Sequence, residues 1–283
     1  MKKYFILLFS FFFTLCSASE NPKLKEYKDY LSSLNQAKYY STSMAVSKYK
    51  ELFAIENLTV RDEAFVMFDN FYKEVRSKIN ESHLDDEIDY AVLFNDYNTP
   101  SNTKVSNLII KYRKDLNENG FDIAISEGLT YIKSERNFIS RNFYSFISPA
   151  MKEYCTFYNI ISKEETVDDG ALAVHPRRLA ERVLWLEKYI ESNPNFKLIE
   201  DCKMFYRYFL YLLLNGTENT PLLEDNSDIN ARFVDAFEFI TLEYSNSTTA
   251  KYVLPVYISL KNKQKKEAYI LVEKYITDKI IER

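Results

Sequence analysis

Residues 168–195, DDGALAVHPRRLAERVLWLEKYIESNPN, show the pattern that sets the fold class of this chain. Pro176 suits the first turn of a helix, because its fixed φ fits there and its missing N–H would have had no partner. Apolar residues follow at helical spacings of three and four, namely Leu179, Val183, Leu186 and Ile190. The stretch therefore predicts an amphipathic helix that buries one face in a core.

A second face of this helix, roughly a quarter turn away, carries basic and aromatic residues. It consists of Arg178, Arg182, Trp185 and Tyr189, which are spaced four, three and four residues apart. Two guanidinium groups and two rings along one line permit cation–π contacts within the helix. Because this face flanks the buried one, we predict that it lines a groove, in which it binds an anion or a partner.

The first turn of the helix is basic, although a helix dipole favours acidic residues at this end. Arg177 and Arg178 therefore predict a negative group nearby. One partner is the acidic loop just upstream, with Glu164, Glu165, Asp168 and Asp169. The other is a bound phosphate, carboxylate or acidic peptide, held by the arginines and His175. The predicted binding residues are thus His175, Arg177, Arg178, Arg182, Trp185 and Tyr189.

The helical spacing of apolar residues continues through nearly all of the chain beyond its N-terminus. The whole chain has only four glycines, against an ordinary frequency of about 7%, and because tight β-hairpins need glycine at their corners this scarcity argues against a sheet protein. We predict an all-α protein of about ten to twelve antiparallel helices, with one starting at Ser82 and another passing through Ile132. They form either a solenoid-like stack of helical hairpins or an irregular bundle.

The N-terminus, MKKYFILLFSFFFTLCSASE, has the order of an export signal. Two lysines precede an apolar run that is too short to span a bilayer, and small residues follow it. We predict a signal peptide over residues 1–19 and a helical domain over 20–283, in one lobe or in two that meet near 95–103. An alternative is lipidation at Cys16, which predicts an outer-membrane lipoprotein.

Composition and motifs exclude several classes of protein. The 37 basic and 41 acidic residues nearly balance, so no global field favours nucleic acid. No phosphate-binding glycine loop, nucleophile elbow or metal motif is present, and we predict no cofactor and no metal. The acids Asp85 and Asp89 follow Ser82 as they do in ordinary helix starts.

Two cysteines remain beyond the export signal, Cys155 and Cys202, and each lies on an apolar helical face. An oxidising compartment permits a disulfide between them. A buried disulfide and two separate buried thiols both fit the sequence.

Three functions are compatible with these features. The first is an exported, non-catalytic protein, periplasmic or extracellular, that binds a protein or peptide partner. The alternative is a receptor for a small molecule or anion, with a closed pocket of aromatic and arginine side chains. The third is a hydrolase that acts through carboxylates, which leave little local sequence signal.

Overall fold

The structure is a computed structural model that describes residues 21–84, 88–94, 106–126 and 128–282. The predicted signal peptide, the lipidation site at Cys16 and the polar connection at 95–103 lie outside these residues. Among the described residues, none of the helices combines the length and hydropathy needed to cross a bilayer.

Helices dominate the described residues, and the predicted all-α class is confirmed. The chain divides into two compact units, the first ending at Ser134 and the second beginning at Glu135.

The described residues of the first unit form four α-helices, a 3₁₀ turn and one antiparallel hairpin. They are α1 (Pro22–Ser33), α2 (Ser41–Phe53), α3 (Leu58–Leu84), the 3₁₀ turn (Tyr90–Leu93), α4 (Asn107–Glu118), β1 (Phe121–Ser126) and β2 (Leu129–Ser134). The strands pair from Phe121 opposite Ser134 to Ser126 opposite Leu129. Large aromatic side chains fill the core of this unit, including Tyr27, Tyr49, Phe53, Tyr72 and Phe121.

Two predictions for the first unit are wrong. Ser82 does not begin a new helix, because α3 continues through it to Leu84 and the hydroxyl of Ser82 donates to the Lys78 carbonyl. His83, in this added turn, is buried and stacks on Tyr90 with ring centroids 4.2 Å apart, which favours continuing the helix. Ile132 lies in β2 instead of a helix.

In residues 135–282, the described part of the second unit, there are seven α-helices, a π-helical turn and a short hairpin. They are α5 (Asn137–Phe143), α6 (Pro149–Lys163), β3 (Val167–Asp168), β4 (Ala171–Leu172), α7 (Pro176–Ser192), α8 (Ile199–Asn215), α9 (Ala231–Glu238), the π-helical turn (Phe239–Glu243), α10 (Thr248–Lys261) and α11 (Lys265–Thr277). Helix α7 packs against α8, α9 and α10. Its predicted core face is confirmed at Leu179, Val183 and Leu186, which are fully buried, whereas Ile190 is half-buried.

The scarcity of glycine did not exclude sheet structure, since two of the four glycines build hairpin turns. Gly128 lies between β1 and β2 with φ +80°, and Gly170 lies between β3 and β4 with φ +69°. Asp169, just before Gly170, also has a positive φ, as a tight two-residue hairpin turn requires. A helical chain with two small hairpins needs few such corners, so a low glycine content suffices.

Cys155 and Cys202 are separate, buried thiols in the structure. Burial, with a smaller contribution from Asp201, raises the pKa of the Cys202 thiol to about 12. A thiol held in this protonated form is a poor nucleophile, so Cys202 acts as a small apolar residue of the core.

Candidate functional site: a groove between two helices

A groove of about 520 Å³ lies between α6 and α7. It is partly open to solvent and is not an enclosed cavity. Its lining residues are Pro149, Lys152, Glu153, Thr156, Phe157 and Ile160 on α6, and Arg178, Glu181, Arg182 and Trp185 on α7. The groove therefore lies on the predicted second face of α7, against a face of α6.

Stacked aromatic rings that join the two helices form the floor of the groove. The rings of Phe157 and Trp185 are nearly parallel, at 5°, with centroids 4.0 Å apart. Tyr189 continues the stack, 4.9 Å from Trp185, and its hydroxyl donates to the Ala150 carbonyl at 2.8 Å. Because a ring of α6 stacks on two consecutive rings of α7 and a hydrogen bond fixes one end of the stack, this floor is preorganised and apolar. Ile160, 38% exposed, adds an accessible apolar side chain.

Charged side chains of both signs form the rim. Lys152 and Glu153 are exposed on the α6 side. On the α7 side, Arg178 donates to the Glu181 carboxylate at 2.9 Å. The rim can therefore meet either a positive or a negative group on a ligand.

Glu164, the C-cap residue of α6, supplies the negative group that the arginines require. Its carboxylate accepts from Arg178 Nε at 3.1 Å and from Arg182 Nη2 at 3.0 Å. Arg182 also donates to the Glu164 carbonyl at 3.0 Å and to the Thr166 hydroxyl at 2.7 Å. The acidic loop thus folds back on the helix through Glu164, while no ion pair of Glu165, Asp168 or Asp169 with these arginines is found in the described structure.

Of the two arginines that bind Glu164, Arg182 is the buried one, with a side chain only 3% exposed. Burial lowers its pKa, an effect that the carboxylate of Glu164 opposes. Hydrogen bonds from Arg178, followed by those from Arg182, hold the pKa of Glu164 below its ordinary value. Arg182 therefore ties the loop after α6 to α7, whereas Arg178 reaches the groove from its exposed edge.

The remaining predicted residues do not join this groove. His175 is exposed at the start of α7, where its Nδ1 accepts from the Arg177 amide at 3.2 Å, as an N-cap does. The guanidinium carbon of Arg177 lies 3.4 Å from the centroid of the Phe239 ring. Its nitrogens lie within 3.5 Å of carboxylate oxygens of Asp235 and Glu243. The predicted site is thus divided: Arg178, Arg182 and Trp185 line the groove, and Tyr189 lies below it.

The α6 half of the groove was not predicted from the sequence. Glu153, Thr156 and Ile160 fall on one helical face by their spacing of three and four. That signal alone is common on solvent-facing helices, and it does not say which other helix the face meets.

Neither a protein-family model, nor a curated protein, nor a solved structure matches the chain. Within the described ranges, no group of three or more His, Cys, Asp or Glu side chains is placed to hold a metal ion.

The depressed pKa of Glu164 has a consequence for acid stability. Because the folded state holds this pKa below its unfolded value, the ion pairs contribute fully above pH 4.5, and the contribution is lost as the pH falls through the folded-state pKa. We expect Glu164→Gln to lose less stability than the wild type between about pH 7 and about pH 3. Urea unfolding midpoints across this range measure the difference. Glu165→Gln, at the exposed neighbour, should follow the wild type, and equal slopes for both variants would contradict the assignment.

Proposed function

We propose that this chain is an exported, non-catalytic binding protein that takes a short segment of a partner protein into the α6–α7 groove. The observation that carries this proposal is the floor of stacked Phe157 and Trp185 rings, backed by the buried Tyr189, with a rim of mixed charge. Peptide-binding grooves use rigid aromatic rings to hold apolar side chains, and they use polar rims for orientation.

The shape of the groove favours a polypeptide over a small molecule. A receptor for a drug-sized ligand buries most of the ligand in a closed cavity. The α6–α7 groove is partly open, and the two arginines in its lining are already paired with Glu164 and Glu181. A polypeptide presents apolar side chains together with backbone dipoles, and it needs no large net charge in its site.

Ile160 offers a way to block the groove without disturbing the fold, because its side chain lines the groove yet is exposed. We expect peptides selected from a random library to change the fluorescence of Trp185, the chain's only tryptophan. Ile160→Arg places a long cation over the aromatic floor, so the Kd of such peptides should rise by about tenfold or more.

The matched control is Leu242→Arg, which adds the same side chain at an exposed position outside the groove. It should bind the selected peptides as the wild type does. The proposal is overturned if no peptide is enriched, or if Ile160→Arg binds the enriched peptides as tightly as Leu242→Arg. Saturable binding of inorganic phosphate at Trp185, with no peptide selected, would favour the anion receptor instead.

A further inference from the structure

The hairpin of α10 and α11 carries a second surface of distinct chemistry, separate from the groove. The two helices pack antiparallel. Tyr252, near the start of α10, contacts Tyr275, near the end of α11, with ring centroids 5.3 Å apart. Residues 251–274 contain six lysines and only two glutamates, although the whole chain has a net charge of −4. Positive charge is therefore concentrated on this hairpin in a chain that is acidic overall.

Four of these lysines lie within six residues at the tip of the hairpin, in the sequence KNKQKK, residues 261–266. All six residues are exposed. Lys263 pairs with Asp228, and Lys265 lies over the Tyr269 ring at 5.6 Å. In the described structure, Lys261, Lys265 and Lys266 have no ion pair with a carboxylate, so their charge is available to an anionic partner.

Apolar side chains flank the lysine tip on both helices. Tyr269 and Ile270, which are 44% and 58% exposed, line a shallow depression on α11 together with Lys265, Lys266 and Glu273. On α10, Leu254 and Ile258 are exposed. They share one helical face with Lys251 and Lys261 by their spacing of three, four and three. Lysines thus border the exposed apolar residues on each helix.

We propose that the α10–α11 tip binds the surface of an anionic phospholipid bilayer. The lysines supply attraction to lipid phosphates, and Tyr269 and Ile270 supply apolar surface that inserts at the interface. Clustered lysines beside exposed aromatic and aliphatic residues are what peripheral membrane binding requires. An acidic soluble partner would use the lysines but would leave the apolar residues without a role.

The test is sedimentation of the chain without its predicted signal peptide, residues 20–283, with vesicles of equal parts phosphatidylcholine and phosphatidylglycerol. We expect binding to these vesicles, weakened by salt, and much weaker binding to vesicles of phosphatidylcholine alone. Reversing three charges together, Lys261→Glu, Lys265→Glu and Lys266→Glu, should lower the partition coefficient by about tenfold or more. The matched control reverses the charge of three exposed lysines elsewhere, Lys28, Lys38 and Lys133, by substitution with Glu. Its partition coefficient should stay within about twofold of that of the wild type.

A second variant separates a membrane from a soluble polyanion. Tyr269→Ser with Ile270→Ser keeps every charge, and we expect it to bind the anionic vesicles several-fold more weakly. All these positions are exposed, so unchanged thermal unfolding should accompany each result. The proposal is overturned if the anionic vesicles do not bind, or if both charge-reversal variants lose binding equally. It is also overturned if the serine variant keeps full binding while poly-glutamate competes for the tip.

Discussion

We expect Glu187→Ala to lower the free energy of unfolding of the second unit by about 3 kcal/mol, because Glu187 holds the start of α10. Its carboxylate accepts from the amides of Thr248 and Thr249 at 2.6 and 2.8 Å, and from the Thr249 hydroxyl at 2.5 Å. Ser247 accepts from the next amide, that of Ala250. Without the carboxylate, the first-turn amides of Thr248 and Thr249 lose their charged acceptor, and Thr249 is fully buried.

Urea unfolding followed by the fluorescence of Trp185 measures this effect, since Trp185 lies on the same helix as Glu187. Glu187→Gln keeps an oxygen acceptor but loses the charge, so about half of the effect should remain. The control is Glu191→Ala, one turn further along α7 and exposed, with an expected change within about 0.5 kcal/mol. If Glu187→Ala costs no more than this control, α10 does not depend on the carboxylate of α7.

Arg182→Ala has the next largest expected effect, a loss of about 2 to 3 kcal/mol. The substitution removes a buried guanidinium, and with it the donor to the Thr166 hydroxyl and to the Glu164 carbonyl and one of the donors to the Glu164 carboxylate. The loss is limited because the Glu164 carboxylate keeps its ion pair with Arg178 and is exposed to water. Thermal unfolding and urea unfolding of the second unit both report it.

Arg178→Ala provides the comparison, since Arg178 shares Glu164 but is 42% exposed. We expect it to cost less than about 1 kcal/mol, as exposed ion pairs generally do. Equal, small losses for the two variants would mean that Arg182 is not held by the loop after α6. The expected contrast also decides which arginine is useful in binding experiments: Arg178 can be changed without disturbing the fold, and Arg182 cannot.

Local periodicity predicted most of the fold. The face of Leu179, Val183 and Leu186 is buried as its spacing required, and Pro176 is the first residue of α7. The prediction failed where a contact between two successive elements overrides the signal within one segment. Ser82 resembles a helix cap, but the packing of His83 against Tyr90 carries α3 past it, and strand pairing with β1 takes Ile132 out of a helical pattern.

The candidate site was predicted only in part. The line of Arg178, Arg182, Trp185 and Tyr189 was read from spacing, and the structure places it along and beneath one groove. The basic first turn predicted a negative partner without saying which one. In the structure, Arg178 and Arg182 form ion pairs with Glu164, and Arg177 forms ion pairs with Asp235 and Glu243. His175 was grouped with the arginines by sequence proximity, but it caps the helix instead.

The sequence by itself determined that the chain is helical and which face of α7 is buried, because both follow from spacings of three and four within one helix. Only the tertiary structure decided that α6 forms the other wall of the groove, with Phe157 stacked on Trp185. It also decided that Glu187 caps a helix whose first residue lies 61 positions away. Contacts of this kind depend on how separate helices pack in three dimensions, and no periodicity within a single helix records which partner its outer face will meet.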